Sequence, residues 1–154
     1  MKPRRVYIDT SVVGGCLDAE FRDPSVQLFE RFREGTLVAL VSDLLRAEIR
    51  PAPPAVQAVL EGLPAAHVED VLLTAEARRL AESYISAEVI SRKLLTDAFH
   101  IATATVHRAD VLASWNFKHI VNAQRIYGYN SVNVLEGWSL LEIRTPAEVL
   151  GYAE

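Results

Sequence analysis

Short, uninterrupted apolar runs recur along the chain, and each is too short to form a typical helix. Residues 6–8, 37–41 and 111–113 form such runs. Runs of this length are typical of strands that are buried on both faces of a parallel sheet. The pattern also predicts two further strands, over residues 67–71 and 139–143.

The segments between these strands carry apolar residues three or four positions apart, which predicts helices. Residues 24–34 form one helix that Gly35 stops, and Ser42 caps another. The pair of Gly14 and Gly15 predicts a break after the first strand. The other predicted helical segments are residues 55–61, a helix capped by Thr74, residues 95–108, residues 118–127 with Gly128 as C-cap, and a terminal turn or short helix from Pro146.

The alternation of strands and helices predicts an α/β fold. Its sheet is expected to be mainly parallel and covered by helices on both faces. In such sheets ligands bind at the carboxyl ends of the strands. Polar residues that directly follow a strand are therefore the first candidates for chemistry.

Length and composition indicate one globular domain over residues 1–154. Hydrophobic residues make up 50% of the chain and charged residues 23%, which excludes a disordered chain. Cys16 is the single cysteine, so no internal disulfide forms and an intracellular, cytoplasmic setting is expected. No apolar run reaches the roughly 18 residues that span a bilayer, so we expect no membrane partner.

The charge balance argues against a protein that simply coats nucleic acid. The chain has 16 basic and 20 acidic residues, a net charge of −4. Proteins that bind nucleic acid through a broad surface are usually basic. An enzyme that contacts only a few phosphates remains compatible with this balance, because acidic metal ligands would lower its net charge.

Three acids and one amide fall near the same predicted sheet edge. Asp9 follows the first strand, Glu48 lies in the helix after the second, Asp97 begins a later helix and Asn116 follows the fourth strand. Each alone also fits a helix cap or a solvated side chain. Together they suit Mg²⁺ or Mn²⁺, because clustered carboxylates repel one another unless a cation lies between them.

Several other residues allow both a functional and a structural interpretation. His100 lies three positions after Asp97, but without a Cys or a second spaced His a packed histidine is favoured over a zinc ligand. Trp115 and Phe117 suit core packing, with base stacking as the alternative.

Four segments resemble the motifs of the PIN domain family, in the same order and spacing. They extend from Val6 to about Pro146. The segments are Val6-Tyr7-Ile8-Asp9-Thr10-Ser11, Ser42-Asp43-Leu44-Leu45-Arg46-Ala47-Glu48, Asp97-Ala98-Phe99-His100-Ile101-Ala102-Thr103-Ala104, and Ala109-Asp110-Val111-Leu112-Ala113-Ser114-Trp115-Asn116-Phe117-Lys118-His119-Ile120.

The resemblance implies a three-layer α/β/α sandwich and a Mg²⁺- or Mn²⁺-dependent ribonuclease. Asp9, Glu48 and Asp97 would be its metal-binding acids. Thr10 or Ser11 would orient Asp9 or a water on the phosphate.

The fourth segment differs from many family members. Asn116 stands where they carry a fourth Asp. The segment Trp115-Asn116-Phe117-Lys118 resembles that of a recognised branch of the family. Being neutral, Asn116 would weaken the binding of a second metal. Ser114 is expected to support the site, and Lys118 to hold a phosphate of the RNA.

The family also includes VapC-type toxins, so the resemblance implies an antitoxin partner and a homodimer. The implied reaction is hydrolysis of RNA by in-line attack of water, without a covalent enzyme intermediate. The alternative is a non-catalytic module that keeps the pocket and binds RNA or protein. Two other phosphoryl-transfer families fit less well: Ser11 replaces the second Asp of haloacid-dehalogenase-type phosphatases, and Asp9 has no adjacent acid as in receiver domains.

Overall fold

One parallel sheet of five strands forms the centre of the molecule. The computed structural model describes residues 2–152, and within them the strands have the order β3-β2-β1-β4-β5, with every neighbouring pair parallel. The predicted α/β class is confirmed. The strands are β1 Arg4–Ile8, β2 Leu37–Ser42, β3 Val68–Val71, β4 Val111–Ala113 and β5 Ile143–Arg144.

Helices cover both faces of the sheet. Several begin and end as their caps predict: the Ser42 hydroxyl accepts from Leu45 N at 3.0 Å, and Gly35 ends its helix with φ of 82°. The α-helices within residues 2–152 are α1 Thr10–Gly15, α2 Arg22–Glu34, α3 Asp43–Ile49, α4 Pro54–Glu61, α5 Ala75–Ser86, α6 Leu95–Val106, α7 Ala123–Leu135 and α8 Pro146–Tyr152.

Alternate residues of the strands feed two separate cores. Val6 and Ile8 point into the core shared with α1, α2, α3, α4 and α8. Tyr7, between them, points into the core shared with α5, α6 and α7. This alternation follows from the pleat of the strand and produces three layers. None of the helices within residues 2–152 has the length and apolar character that crossing a bilayer requires.

The predicted helix over residues 118–127 is wrong in its position. Lys118 lies in a turn, and α7 begins later, where the Asn122 side chain accepts from Arg125 N at 3.2 Å. Gly128 lies inside α7 and does not cap it. A Cβ there would come within 2.7 Å of Val89, so this glycine lets α7 pack closely.

Two other boundaries differ from the prediction. The pair of Gly14 and Gly15 does not break the chain but lies at the end of α1, whose N-terminus Asp9 caps. The last strand is shorter than residues 139–143 and covers Ile143–Arg144.

Candidate active site

The carboxyl ends of the central strands carry the polar residues that the sequence singled out. Asp9 directly follows β1, and Ser114 directly follows β4, which pairs with β1. Ser42 ends β2 and caps α3, the helix that carries Glu48. Asp97 lies in the first turn of α6. The expected meeting at one edge of the sheet is thus realised by three parallel strands and two helices.

Asp9 is the most enclosed acid of the site, with 4% of its surface exposed. Its Oδ1 accepts from the Ser11 hydroxyl at 2.6 Å and from Val12 N at 3.3 Å. Its Oδ2 accepts from the Ser114 hydroxyl at 2.6 Å. A carboxylate offers about four lone-pair positions, so these three bonds leave one on Oδ2. Ser11 and Ser114 therefore fix the orientation of Asp9.

A chain of hydrogen bonds joins Asp9 to Asp97 through the segment after β4. The Ser114 hydroxyl, which donates to Asp9, accepts from Asn116 N at 3.0 Å. The Asn116 side chain accepts from His119 N at 2.9 Å, so its oxygen faces that amide. Its Nδ2 then donates to Asp97 Oδ2 at 3.4 Å. Asn116 thus supplies a donor to Asp97 where a fourth acid would repel it.

Glu48 is held by a second, separate chain. Its Oε1 accepts from the Thr10 hydroxyl at 2.8 Å and from His100 Nε2 at 2.6 Å. His100 Nδ1 lies 2.6 Å from the Tyr7 hydroxyl, which also contacts Ser42 at 3.0 Å. Thr10 therefore orients Glu48 rather than Asp9. The favoured interpretation of His100 as a packed, hydrogen-bonded residue agrees with this geometry, since it is 2% exposed.

The acids influence one another electrostatically. Burial raises the pKa of Asp9, although His100 and the hydrogen bonds to Asp9 oppose the rise. Burial also raises the pKa of Asp97; His100 opposes the rise, while the negative charges of Asp9 and Glu48 add to it. Burial works in the same direction on Glu48, but His100 and Thr10 outweigh it and lower its pKa. The site therefore carries unfavourable negative charge around Asp9 and Asp97.

The donor set suits a hard divalent cation held partly by water. Within residues 2–152, no three His, Cys, Asp or Glu side chains come close enough together to hold a metal by themselves. Mg²⁺ is usually bound through one or two carboxylates, several waters and substrate phosphates. Asp9 Oδ2 and the Asp97 carboxylate provide such oxygens. A cation would offset the burial of both charges and the repulsion that raises the pKa of Asp97.

Three further residues of this region were given no role in the sequence-based site. Tyr7 and Ser42 continue the chain of hydrogen bonds that holds Glu48. His119 opposes the rise in the pKa of Asp97 that burial causes. Their partners lie far apart in sequence, so local spacing gave no signal. Lys118, the expected phosphate contact, is exposed one residue away from His119.

Solved structures share this fold, although sequence comparison finds no match. No protein-family model and no curated protein matches the chain. The VapC20 toxin of Mycobacterium tuberculosis, which cleaves the sarcin–ricin loop, aligns with a TM-score of 0.57 and 13% identity, over 74% of this chain and 92% of that one. VapBC2 from Rickettsia felis, solved with a DNA fragment from its promoter, gives 0.54 and 14%, over 74% and 89%. The chain has a PIN-like fold. At these identities the likeness shows the architecture alone.

Proposed function

We propose that the protein is a Mg²⁺- or Mn²⁺-dependent endoribonuclease that hydrolyses RNA phosphodiesters. The observation that carries the proposal is the convergence of Asp9 and Asp97 on one sheet edge, linked through Ser114 and Asn116. Burial raises the pKa values of Asp9 and Asp97, and the charges of Asp9 and Glu48 raise that of Asp97 further. Carboxylates perturbed in this way are typical of functional sites. The PIN-like fold, shared with VapC20 and VapBC2, supports the same conclusion.

Each residue has a distinct part in the proposed reaction. Asp9 and Asp97 would hold the cation together with waters, and Glu48 would be the third acid of the set. Bound Mg²⁺ or Mn²⁺ would activate water and stabilise the charge that develops on the phosphate. Ser11 and Ser114 orient Asp9. Thr10 and His100 occupy Oε1 of Glu48, which leaves Oε2 to accept a hydrogen bond from the attacking water.

Asn116 distinguishes this site from one with four acids, and we propose that it marks a branch of the PIN-like proteins. Its amide donates to Asp97 and keeps one carboxylate oriented without adding charge. A site of this kind favours one cation over two. Lys118, exposed beside the site, is proposed to contact a phosphate of the RNA.

The biological setting follows from the same proposal. We infer a single-domain toxin of a toxin–antitoxin pair, acting in the cytoplasm and neutralised by an antitoxin protein. We also propose a homodimer. Exposed apolar side chains on and after α7 offer surface for protein contacts: Tyr127, Val134, Leu135 and Leu140 are 77%, 59%, 84% and 70% exposed.

The direct test is cleavage of a mixed pool of single-stranded RNA with Mn²⁺ or Mg²⁺, against a chelator control. Asp97→Asn should abolish cleavage without unfolding the protein. Asp23→Asn is the matched control, since both acids lie in the first turn of a helix but Asp23 is exposed on α2. Cleavage that needs the cation and Asp97, but not Asp23, would establish the nuclease.

Other results would point elsewhere. Cleavage by Asp97→Asn at the wild-type rate would show that the site is wrongly assigned. RNA binding without cleavage or cation binding would favour the non-catalytic module.

A further inference from the structure

Three aromatic rings form a cluster beside the acidic site. Phe21, which precedes α2, stacks on Trp115 with ring centroids 4.4 Å apart and planes inclined by 18°. Phe117 leans against both, at 6.2 Å from Phe21 and 6.1 Å from Trp115. Centroid distances of about 4.5 to 7 Å are those of favourable aromatic pairs. We call Phe21, Trp115 and Phe117 the aromatic cluster.

The Trp115 ring of the aromatic cluster is fixed in place. Trp115 Nε1 donates to the Ser25 hydroxyl at 2.8 Å, and Trp115 N donates to the Ser11 hydroxyl at 2.9 Å. The indole also fills the space that a side chain at Gly15 would need, since a Cβ there would lie 2.9 Å from Nε1. One hydrogen bond from the indole, one from the Trp115 backbone and close packing give the cluster a preformed shape.

The outer ring remains open to solvent. Phe117 is 51% exposed, whereas Phe21 and Trp115 are partly covered. A phenylalanine supported by two rings yet half-exposed presents an apolar surface on which a flat group can stack. Single exposed apolar residues need no explanation. Phe117 differs from these because it is adjacent to Asn116, which contacts an acid of the site.

The aromatic cluster is connected directly to the acids. Asn116, which donates to Asp97, lies between Trp115 and Phe117 in the chain. Ser11, which accepts from Trp115 N, donates to Asp9. The acids and the aromatic cluster are therefore held by the same short segment after β4 and by Ser11.

Exposed cations accompany the rings. Arg22 follows Phe21 in the chain, and Lys118 follows Phe117, and both are exposed. Proteins that bind single-stranded nucleic acid combine stacking aromatic side chains with positive charges that contact the backbone. The aromatic cluster has both components.

We propose that Phe117, supported by Trp115 and Phe21, is a stacking platform for one unpaired nucleobase next to the scissile phosphate. The inference rests on the proposed nuclease function and specifies its substrate as single-stranded RNA. A base inside a duplex has both faces covered by its neighbours, so it cannot stack on Phe117. A protein side chain could also occupy the platform, but the adjoining acids and exposed cations suit a base attached to a phosphate.

The experiment measures binding of a labelled six-nucleotide single-stranded RNA by fluorescence anisotropy. The Asp97→Asn protein is measured in Mg²⁺ and the wild-type protein in chelator, so that the RNA stays intact in both. Adding Phe117→Ala should weaken binding about tenfold, the size expected for loss of one base stack. Phe117→Trp should restore it. Leu72→Ala, which removes an exposed apolar side chain that has no assigned role, should leave it unchanged.

A set of probes that each lack one base locates the contact. Removing the stacked base should abolish the difference in affinity between the proteins with and without Phe117→Ala, while removing other bases should preserve it. Equal binding by the two proteins, or no binding of single-stranded RNA by either protein form, overturns the platform. Preferential binding of duplex RNA overturns it as well.

Cleavage by the wild-type protein is scored separately. Cleavage that needs Asp97 but not Phe117 would leave the nuclease in place and reject the platform. RNA binding that needs Phe117 in a wild-type protein that does not cleave would support the platform and reject the nuclease.

Discussion

His100 donates a hydrogen bond from Nε2 to Oε1 of Glu48 at 2.6 Å. A carboxylate can only accept, so the proton of this bond lies on Nε2. Nδ1 of the same ring lies 2.6 Å from the Tyr7 hydroxyl. The buried ring therefore connects the sheet core to an acid at the sheet edge. Burial alone would raise the pKa of Glu48, but His100 and Thr10 together lower it.

Glu48→Gln tests how much the charge of this pair contributes. A hydrogen bond to an ionised group stabilises more than a neutral one, so we expect a loss of about 1 kcal/mol near neutral pH. The pKa of Glu48 is lowered in the folded state. The contribution is therefore present above the unfolded pKa and is lost as the pH falls through the folded pKa.

Urea unfolding at neutral and acid pH measures the Glu48 contribution. Glu30→Gln, at an exposed position in α2, is the control and should change little. A Glu48→Gln protein as stable as wild type at neutral pH would contradict the role of the pair.

Asp97→Asn should have the opposite dependence on pH. Burial, with the charges of Asp9 and Glu48, raises the pKa of Asp97 despite His100. For an acid with a raised folded pKa, the stabilising contribution is present below the unfolded pKa and lost as the pH rises through the folded value. Near neutral pH the variant should be more stable by about 1 kcal/mol, or about 2–4 °C in Tm.

Thermal melting in chelator, at several pH values, checks the Asp97 prediction. The gain should disappear in acid and should be absent from Asp23→Asn. A lower Tm for Asp97→Asn near neutral pH would show that this carboxylate stabilises the fold.

Much of the fold and part of the site followed from local sequence signals. Apolar runs located β1, β2 and β4, and the rule that ligands bind at strand ends brought Asp9 and Asn116 to the same edge. Ser42 and Gly35 also acted as the caps that their chemistry predicts. These features depend on a few neighbouring residues, which the sequence shows directly.

The features that could not be predicted depend on contacts between distant residues. Gly128 has the appearance of a helix stop, but its partner Val89 requires a small residue inside α7. The partner of Glu48 is His100, 52 positions away, although spacing related that histidine to Asp97 instead. A glycine can end a helix or allow close packing inside one, and a histidine can pair with either acid. Only the tertiary structure distinguishes these alternatives.

Asn116→Asp tests whether the fourth position limits cation binding. The variant keeps the side-chain oxygen that accepts from His119 N. Its second oxygen replaces Nδ2, which lies 3.4 Å from Asp97 Oδ2. Like charges at this distance should lower the Tm in chelator by a few degrees and strengthen Mn²⁺ binding. A cation at about 100 times its Kd stabilises by about 2.7 kcal/mol, so melting with and without Mn²⁺ measures both effects. Equal stabilisation of wild type and variant by Mn²⁺ would argue that position 116 lies outside the cation site.

Gly15→Ala tests the packing that supports the aromatic cluster, and the adjacent Gly14→Ala is its matched control. A Cβ on Gly15 would meet the Ser25 hydroxyl at 2.6 Å and Trp115 Nε1 at 2.9 Å, while one on Gly14 meets nothing within 4 Å. Overpacking of this kind costs about 1–3 kcal/mol, whereas alanine in place of an unhindered helical glycine stabilises by about 0.5–1 kcal/mol. Urea unfolding should therefore give changes of opposite sign for two neighbouring residues of α1. The emission of Trp115 should shift only in Gly15→Ala, because the indole must move to admit the methyl group. Equal stability of the two variants would mean that Trp115 is not held against Gly15.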